Sequence, residues 1–155
     1  MQVKNIMDAG CVSVSEQASI KELIDCFRRV PRSTLPVVDS QGRLVGIVSL
    51  HDLIRHFLPR YMDLLPSLQF LGESKTLEKK MLGQILDPAF ALLFLVHDVM
   101  VKKPVSVLET DSTFKAMALM IQHNYHHLPV TDRQGGFLGM VDQNRIILSF
   151  LNQAA

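Results

Sequence analysis

The chain has 155 residues, the size of one ordinary domain or of two small units that share a core. Hydrophobic residues make up 48% of it and charged residues 20%, which is typical of a globular protein with apolar surface to bury. A formal net charge of +1 and only 6% aromatic residues, without Trp, argue against nucleic acid or an anionic membrane as partner.

Two further features concern the compartment. The N-terminal stretch MQVKNIMDAG has no apolar h-region, and the most apolar run, Ala89 to Val96, is far shorter than the roughly 20 residues of a spanning helix. Cys11 and Cys26 are the only cysteines, which is no disulfide framework. We therefore expect a cytoplasmic protein in a reducing setting, with no membrane partner.

The first part of the chain predicts a strand, a helix, two strands and a helix. VSV at residues 12–14 is β-prone, and Ser19 and Glu22 have capping-box spacing. LPVVD and LVGIV are short apolar strands around a polar turn, and a helix follows at about residues 50–58. The first helix carries an apolar face at i, i+3, i+4 and i+7: Ile20, Leu23, Ile24 and Phe27.

Residues 59–95 predict a helical connector. Ser74 is a candidate N-cap for the amphipathic stretch KTLEKKMLGQIL, and Asp87-Pro88 has the pattern that begins another short helix. The connector either packs against the rest of the chain, or its Leu, Phe and Met side chains contact a second copy or another protein.

Residues 96–151 repeat residues 3–58 at a constant offset of 93, with 18 identities over 56 aligned positions. The clearest match is LPVVDSQGRLVGIV against LPVTDRQGGFLGMV. The apolar face of the helix in the second copy is expected at Phe114, Met117, Met120 and Ile121. The chain thus predicts an α+β fold of two β-α-β-β-α repeats with pseudo-two-fold symmetry, at residues 1–58 and 96–155, joined by the connector.

The repeat resembles the cystathionine-β-synthase (CBS) domain family, in the tandem arrangement called a Bateman module. The resemblance lies in the IM before each first strand, in LPVVD and LPVTD, and in the joints GIVSLHD and GMVDQNR, and it covers about 112 of the 155 residues. It implies a stand-alone regulatory module, without a required cofactor, that binds AMP, ADP or ATP (less readily S-adenosylmethionine or NAD) between the repeats. It also implies a homodimer and a separate regulated protein.

The joint GIVSLHD contains the main candidate site. Gly46 allows a close backbone approach, and Ser49 and Asp52 stand where a strand gives way to a helix, whose N-terminus attracts phosphate. In the family, the Asp of this joint holds the ribose and the Ser or Thr helps to hold phosphate. The same spacing also forms a capping box without any ligand, and the two roles are compatible.

The resemblance implies further ligand-binding positions around this joint. Thr34 and Arg32 precede LPVVD, where the family places phosphate contacts. Because both repeats build each cleft in this family, the adenine wall is expected from the second copy, at Val101, Lys102, Pro104, Val105 and Tyr125.

The second joint departs from the pattern, since Asp142 replaces Ser49 and Arg145 replaces Asp52. Asp142 can still cap a helix, but its carboxylate repels phosphate, and Arg145 has only donors, so it cannot accept from a ribose diol. This cleft is expected to be degenerate or to take a different anion through Arg145. We expect one adenosyl ligand per chain.

The stretch HNYHHLPV places histidines at i, i+3 and i+4, which on a helix can hold a metal. Its counterpart in the first copy is VPRSTLPV, whose Pro31 indicates that the helix has ended, so no metal site is expected. His126 and His127 are either ordinary surface or packing residues, or they line the second cleft and meet phosphate there in a pH-sensitive way.

No arrangement of residues in the chain has a catalytic pattern: there is no nucleophile elbow, no phosphate-cradling GxxxxGK[ST] and no evident carboxylate pair. A non-enzymatic protein is therefore expected. The alternative to the ligand-binding module is a structural or oligomerising CBS scaffold that binds no nucleotide.

Overall fold

The computed structural model describes residues 1–57 and 92–154. The first repeat contains the 3₁₀ helix Val3–Asn5, β1 (Val14–Ser15), α1 (Ile20–Arg29), β2 (Thr34–Val38), β3 (Leu44–Ser49) and α2 (Leu50–Phe57). The second contains α3 (Val96–Val99), β4 (Val101–Lys102), β5 (Val107–Leu108), α4 (Thr113–His123), β6 (His127–Thr131), β7 (Phe137–Asp142) and α5 (Gln143–Ala154). The predicted connector lies outside the described residues, apart from its last four.

The strands of the described ranges form two sheets, β1-β2-β3-β4 and β5-β6-β7. In the first sheet β1 runs parallel to β2, and β2 and β3 form an antiparallel hairpin in which Leu35 lies opposite Val48. The second sheet has the same arrangement, with Leu128 opposite Val141. The predicted α+β fold of two repeats is confirmed.

The leading segment of each repeat crosses to the sheet of the other repeat. Val101 of β4 lies opposite Ile47 of β3. At the symmetric place, Asp8 pairs with Met140 of β7 through backbone hydrogen bonds of 2.7 and 3.1 Å. This exchange brings side chains from both repeats to the same sheet edge, beside the strand-to-helix joints.

A glycine lies beneath each crossing. A Cβ added at Gly139 would lie 2.5 Å from the carbonyl oxygen of Asp8. One added at Gly46 would lie 2.5 Å from the Met100 sulfur and 3.0 Å from the Val101 carbonyl oxygen. The close approach expected at Gly46 is therefore made by the crossing segment of the other repeat.

The exchange also builds the two apolar cores. Each core packs a helix against a sheet and includes fully buried residues of the other repeat's leading segment. The first contains Leu23, Leu35 and Val48 together with Val96, and the second contains Leu128, Val141 and Ile146 together with Val3. Neither repeat therefore has a complete core of its own.

The helix faces follow the prediction in the first repeat and depart from it in the second. In α1, the Ser19–Glu22 capping box is present and Ile20, Leu23 and Phe27 are buried. In α4, Met120 is buried, but Phe114 and Ile121 are 73% and 71% exposed. The buried positions of α4 are Thr113, Ala116 and Met120. Of the predicted stripe, Met120 is thus confirmed and Met117 packs against the second core, while the other two residues are wrong.

Among the helices of the described ranges, none combines the length and the apolar character that a membrane span requires.

Candidate functional site

A cavity of about 690 Å³ lies where the joint between β3 and α2 meets the second repeat. Both repeats contribute to its wall. The first provides Ser33, Thr34, Ile47, Ser49, His51 and Asp52, and the second provides Val101, Asn124, Tyr125, His126 and His127. We refer to it as the first cavity.

Ser49 and Asp52 form a complete capping box at the start of α2. The Ser49 hydroxyl accepts from the Asp52 N–H at 3.0 Å, and Asp52 Oδ2 accepts from the Ser49 N–H at 2.9 Å and from the Ser49 hydroxyl at 2.6 Å. All these bonds to the carboxylate use Oδ2. Within the described residues Oδ1 has no hydrogen-bond donor, so it is free to accept one from a molecule in the cavity.

The remaining wall combines polar and apolar surfaces. Thr34 lies opposite Ser49 in the β2–β3 hairpin, so the two hydroxyl side chains are cross-strand neighbours. Ile47 and Val101 are also paired across β3 and β4, and Tyr125 adds a ring that is partly stacked on His123, with centroids 5.6 Å apart. The cavity thus offers a hydroxyl and carboxylate side and an apolar and aromatic side.

Of the nine residues predicted for this site, five line the first cavity: Thr34, Ser49, Asp52, Val101 and Tyr125. Three others, Lys102, Pro104 and Val105, are not among its lining residues. Lys102 points instead to His97, with Nζ 3.0 Å from Nε2, and Val105 packs against the second core. Strand β4 ends at Lys102, and the chain then turns away from the cavity through Lys103, whose φ is 53°.

Arg32 lies in a different place from the predicted one. It forms an ion pair with Asp8, the residue of the crossing segment that is bound to β7. This pairing draws the guanidinium to a second cavity, of about 460 Å³, at the joint between β7 and α5. The described residues that line this second cavity are Pro31, Arg32, His126, His127, Asp142, Gln143, Asn144, Arg145 and Leu148.

Asp142 and Arg145 occupy the joint of the second cavity as the repeat predicts. Asp142 caps α5, since its Oδ1 accepts from the Arg145 N–H at 2.9 Å. The Arg145 guanidinium donates through Nη1 to the Ile6 carbonyl at 3.2 Å, and its Nε lies 3.6 Å from Asp142 Oδ2. A carboxylate and a tethered guanidinium therefore stand where the first cavity has a hydroxyl and a carboxylate.

The walls differ in the same way. Tyr125 of the first cavity corresponds by the offset of 93 to Arg32 of the second, and Val101 corresponds to Asp8. An aromatic and an aliphatic side chain are thus replaced by an ion pair. The two cavities are related by the pseudo-two-fold symmetry of the backbone but not by their chemistry.

His126 and His127 line both cavities. His126 Nδ1 lies 3.0 Å from the Gln143 amide oxygen, while His127 is half-buried as the first residue of β6. Burial lowers the pKa of His127 below its ordinary value of 6.5; Arg32 and His126 act in the same direction, and Asp142 opposes them.

The helical metal arrangement does not form in HNYHHLPV. Helix α4 ends at His123, and its C-cap, Asn124, is left-handed with φ 54°. His126 and His127 therefore follow the helix instead of sharing one of its faces. The described ranges contain no group of three His, Cys, Asp or Glu side chains arranged to hold a metal ion.

Several lining residues were not predicted, namely Ser33, Ile47, His51 and Asn124 in the first cavity and Pro31, Gln143, Asn144 and Leu148 in the second. A signal existed for some of them. Ser33 is the repeat counterpart of His126. Gln143 and Asn144 are the first two residues of the helix that Asp142 is predicted to cap.

The cysteines lie outside both linings. Burial raises the pKa of the Cys11 thiol, with a smaller opposing effect of Arg32, so the thiol is favoured over the thiolate. Cys26 packs at the margin of the first core.

Comparison with known proteins matches both repeats to one family. The family model of the CBS domain matches residues 3–59 and 96–152. An uncharacterized protein of Methanocaldococcus jannaschii, MJ1426, is 34% identical over 152 residues, which span 95% of this chain and 89% of that protein.

Two solved structures have a similar fold. The structure of Arabidopsis thaliana CBSX2 in complex with AMP has a TM-score of 0.70 at 20% identity and covers 99% of this chain and 98% of its own. The CBS domain pair of MJ0100, in complex with 5′-methylthioadenosine and S-adenosyl-L-methionine, has a TM-score of 0.66 at 19% identity and covers 99% and 98%.

Proposed function

The chain belongs to the CBS domain family as a tandem pair, and on this premise we propose that it is a regulatory module that binds AMP, ADP or ATP in the first cavity. It acts in the cytoplasm, carries out no chemical step on the ligand, and passes the bound state to a separate protein. Binding regulates because the ligand contacts both repeats and so favours one arrangement of them over another.

The observation that carries this proposal is Oδ1 of Asp52, which has no donor within residues 1–57 and 92–154 and belongs to a carboxylate whose other oxygen is fixed by the capping box. A ribose hydroxyl can donate to Oδ1 without breaking the cap. The Thr34 hydroxyl and the N-terminus of α2 suit a phosphate, since the Ser49 hydroxyl already donates to Asp52. Val101 and Tyr125 offer an apolar wall for the base. The AMP and methylthioadenosine complexes of CBSX2 and MJ0100 support this ligand class.

A homodimer is part of the proposal. It is supported by exposed apolar side chains on the two helices of the second repeat: Phe114 and Ile121 on α4, and Ile147 and Leu151 on α5. In the first repeat, the counterparts of Phe114 and Ile121 are Lys21 and Arg28, so the fold does not require apolar residues at these two positions of α4.

A second candidate function is a scaffold that binds no nucleotide. It is favoured by the completeness of the Ser49–Asp52 capping box, which accounts for both side chains without a ligand. In the scaffold, Asp52 contributes only to the stability of the fold, whereas in the ligand-binding module it also binds the nucleotide.

A thermal-shift screen with AMP, ADP, ATP, S-adenosylmethionine and NAD separates them. A ligand at about 100 times its Kd stabilises the fold by about 2.7 kcal/mol, which raises the Tm by roughly 5 to 10 °C. Asp52→Asn is expected to abolish the shift, because the single amide oxygen is needed to accept from the Ser49 N–H of the cap, which leaves the ribose hydroxyl an NH2 donor in place of an acceptor.

Glu22→Gln is the matched control, since Glu22 is the carboxylate of the equivalent capping box at α1, outside both cavities. It should lower the starting Tm slightly and leave the ligand shift intact. No shift with any compound, or an equal loss in both variants, would favour the scaffold.

Light scattering on the same sample tests the dimer: the monomer mass of 17.4 kDa would contradict it.

A further inference from the structure

The second cavity gathers side chains that favour an anion. Two arginines and two histidines line it, namely Arg32, Arg145, His126 and His127, together with the Asn144 amide. Its wall lacks the aromatic and aliphatic pair of the first cavity, because the corresponding positions hold Arg32 and its partner Asp8. Pro31 and Leu148 are the apolar side chains among its described lining residues, and neither is aromatic, whereas a compact anion has several donors.

Both guanidinium groups are held in place and keep donors free. Arg32 contacts Asp8 through Nη2, so its Nε and Nη1 have no partner in the described part of the chain. Arg145 uses Nη1 for the Ile6 carbonyl and Nε for Asp142, which leaves Nη2 without a partner there. Such fixed guanidinium groups suit oxyanions, because the donors need not be ordered upon binding.

The charges of these groups cancel at neutral pH. The carboxylates of Asp8 and Asp142 balance the two arginines, so the net positive charge that an anion needs must come from imidazole. His126 donates from Nδ1 to the Gln143 amide oxygen, which leaves Nε2 without a partner among the described residues. The His127 ring has no hydrogen-bond partner among the described residues, so both ring nitrogens remain for a ligand.

We propose that the second cavity binds a phosphate-class anion, held by the Arg32 and Arg145 guanidinium groups, and that His127 takes up a proton as the anion binds. The first and second cavities are then sites for different ligand chemistries. Since the two histidines line both cavities, the anion is either a free phosphate or the terminal phosphate of a nucleotide in the first cavity.

The state of His127 in the free protein agrees with this coupling. Burial holds its pKa down, Arg32 and His126 do the same, and Asp142 opposes them. An anion beside the ring favours the imidazolium, and by linkage a protonated ring favours the anion. Affinity therefore rises as the pH falls through the range in which His127 titrates.

The test uses sulfate, a tetrahedral dianion that does not titrate near neutral pH, and the full-length protein in calorimetric titrations at pH 6 and pH 8. Binding is expected to be at least fivefold tighter at pH 6, up to the limit of about tenfold per pH unit for one coupled proton. Titrations in buffers of different ionisation enthalpy should detect proton uptake.

The variants are chosen from the repeat itself. His127→Thr and His126→Ser install the first repeat's residues Thr34 and Ser33, so the backbone already accepts them, and together they should remove the pH dependence. Arg145→Gln should weaken sulfate at least tenfold. Arg28→Gln removes an arginine that pairs with Asp25 on the outer surface of α1, and it should leave sulfate binding unchanged.

The source of the anion follows from competition. If ATP displaces sulfate and AMP does not, the anion is the terminal phosphate of a nucleotide. If sulfate binds together with either nucleotide, the anion is a free one. Either outcome supports the site. No sulfate binding, equal binding at both pH values, or equal loss in Arg28→Gln and Arg145→Gln would overturn it. The proposed nucleotide site is tested by a different measurement, the Asp52-dependent thermal shift with AMP. Failure of one proposal therefore leaves the other intact.

Discussion

At the residue scale, the repeat gives each functional position an internal counterpart. Asp52 accepts hydrogen bonds where Arg145 donates them, and Tyr125 presents a ring where Arg32 presents a guanidinium. The replacement of Asp52 by Arg145 was readable from the alignment of the two copies. The displacement of Arg32 into the second cavity was not, because it depends on Asp8, a partner 24 positions away that is brought near by the crossing.

The pH dependence of stability belongs to this scale. Because the folded state lowers the pKa of His127, the unfolded chain binds the proton more readily. The contribution of neutral His127 to the free energy of unfolding is therefore complete above pH 6.5. It is lost as the pH falls from 6.5 through the lower pKa that His127 has in the folded state.

His127→Thr should remove this loss, so that the Tm of the variant changes less than that of the wild type between pH 7.5 and pH 5. The measurement is made without sulfate or phosphate, which would stabilise the protonated ring. His51→Asn, which installs the second repeat's residue at the edge of the first cavity, is the control for loss of a histidine. Parallel Tm profiles for wild type and His127→Thr would contradict the account.

At the element scale, strands and hairpins were predictable because LPVVD and LPVTD are short apolar runs beside a polar turn with glycine at positive φ. Hydrophobic periodicity alone misplaces Phe114 and Ile121 of α4, which are exposed. The alignment pairs Ile20, Leu23 and Phe27 with Thr113, Ala116 and Met120, and those are the buried positions. A small or polar residue can occupy an inward position, which a search for large apolar side chains overlooks.

The crossing strands give a prediction about stability. Gly139→Ala is expected to cost about 2 to 3 kcal/mol, because its Cβ would meet the backbone of Asp8 at 2.5 Å, and backbone held by two hydrogen bonds cannot move aside cheaply. Gly46→Ala should cost less, about 1 to 2 kcal/mol, since its closest contact is the flexible Met100 side chain.

Urea denaturation measures both differences. Gly10→Ala is the control, because the nearest atom to its Cβ, Asp8 Oδ1, lies at an ordinary 3.6 Å. A Gly139→Ala variant as stable as Gly10→Ala would mean that the crossing segment is not held against β7 in solution.

At the scale of the whole molecule, the exchange of leading segments makes the pair of repeats one folding unit, since Val3 and Val96 are each buried in the core of the other repeat. The pseudo-two-fold arrangement was predictable from the constant offset of 93. The crossing was not, because Val3 and Val96 have the same apolar character in either arrangement. The consequence for function is a cavity that neither repeat can build alone.

Of the two symmetry-related cavities, we propose that the first takes an adenosyl ligand and the second does not. Calorimetric titration of the protein with AMP, in sulfate-free buffer at pH 7.5, tests this most directly through the stoichiometry. We predict about one AMP per chain for the wild type and none for Asp52→Asn. Two AMP per chain, or one AMP per chain retained in Asp52→Asn, would contradict the account.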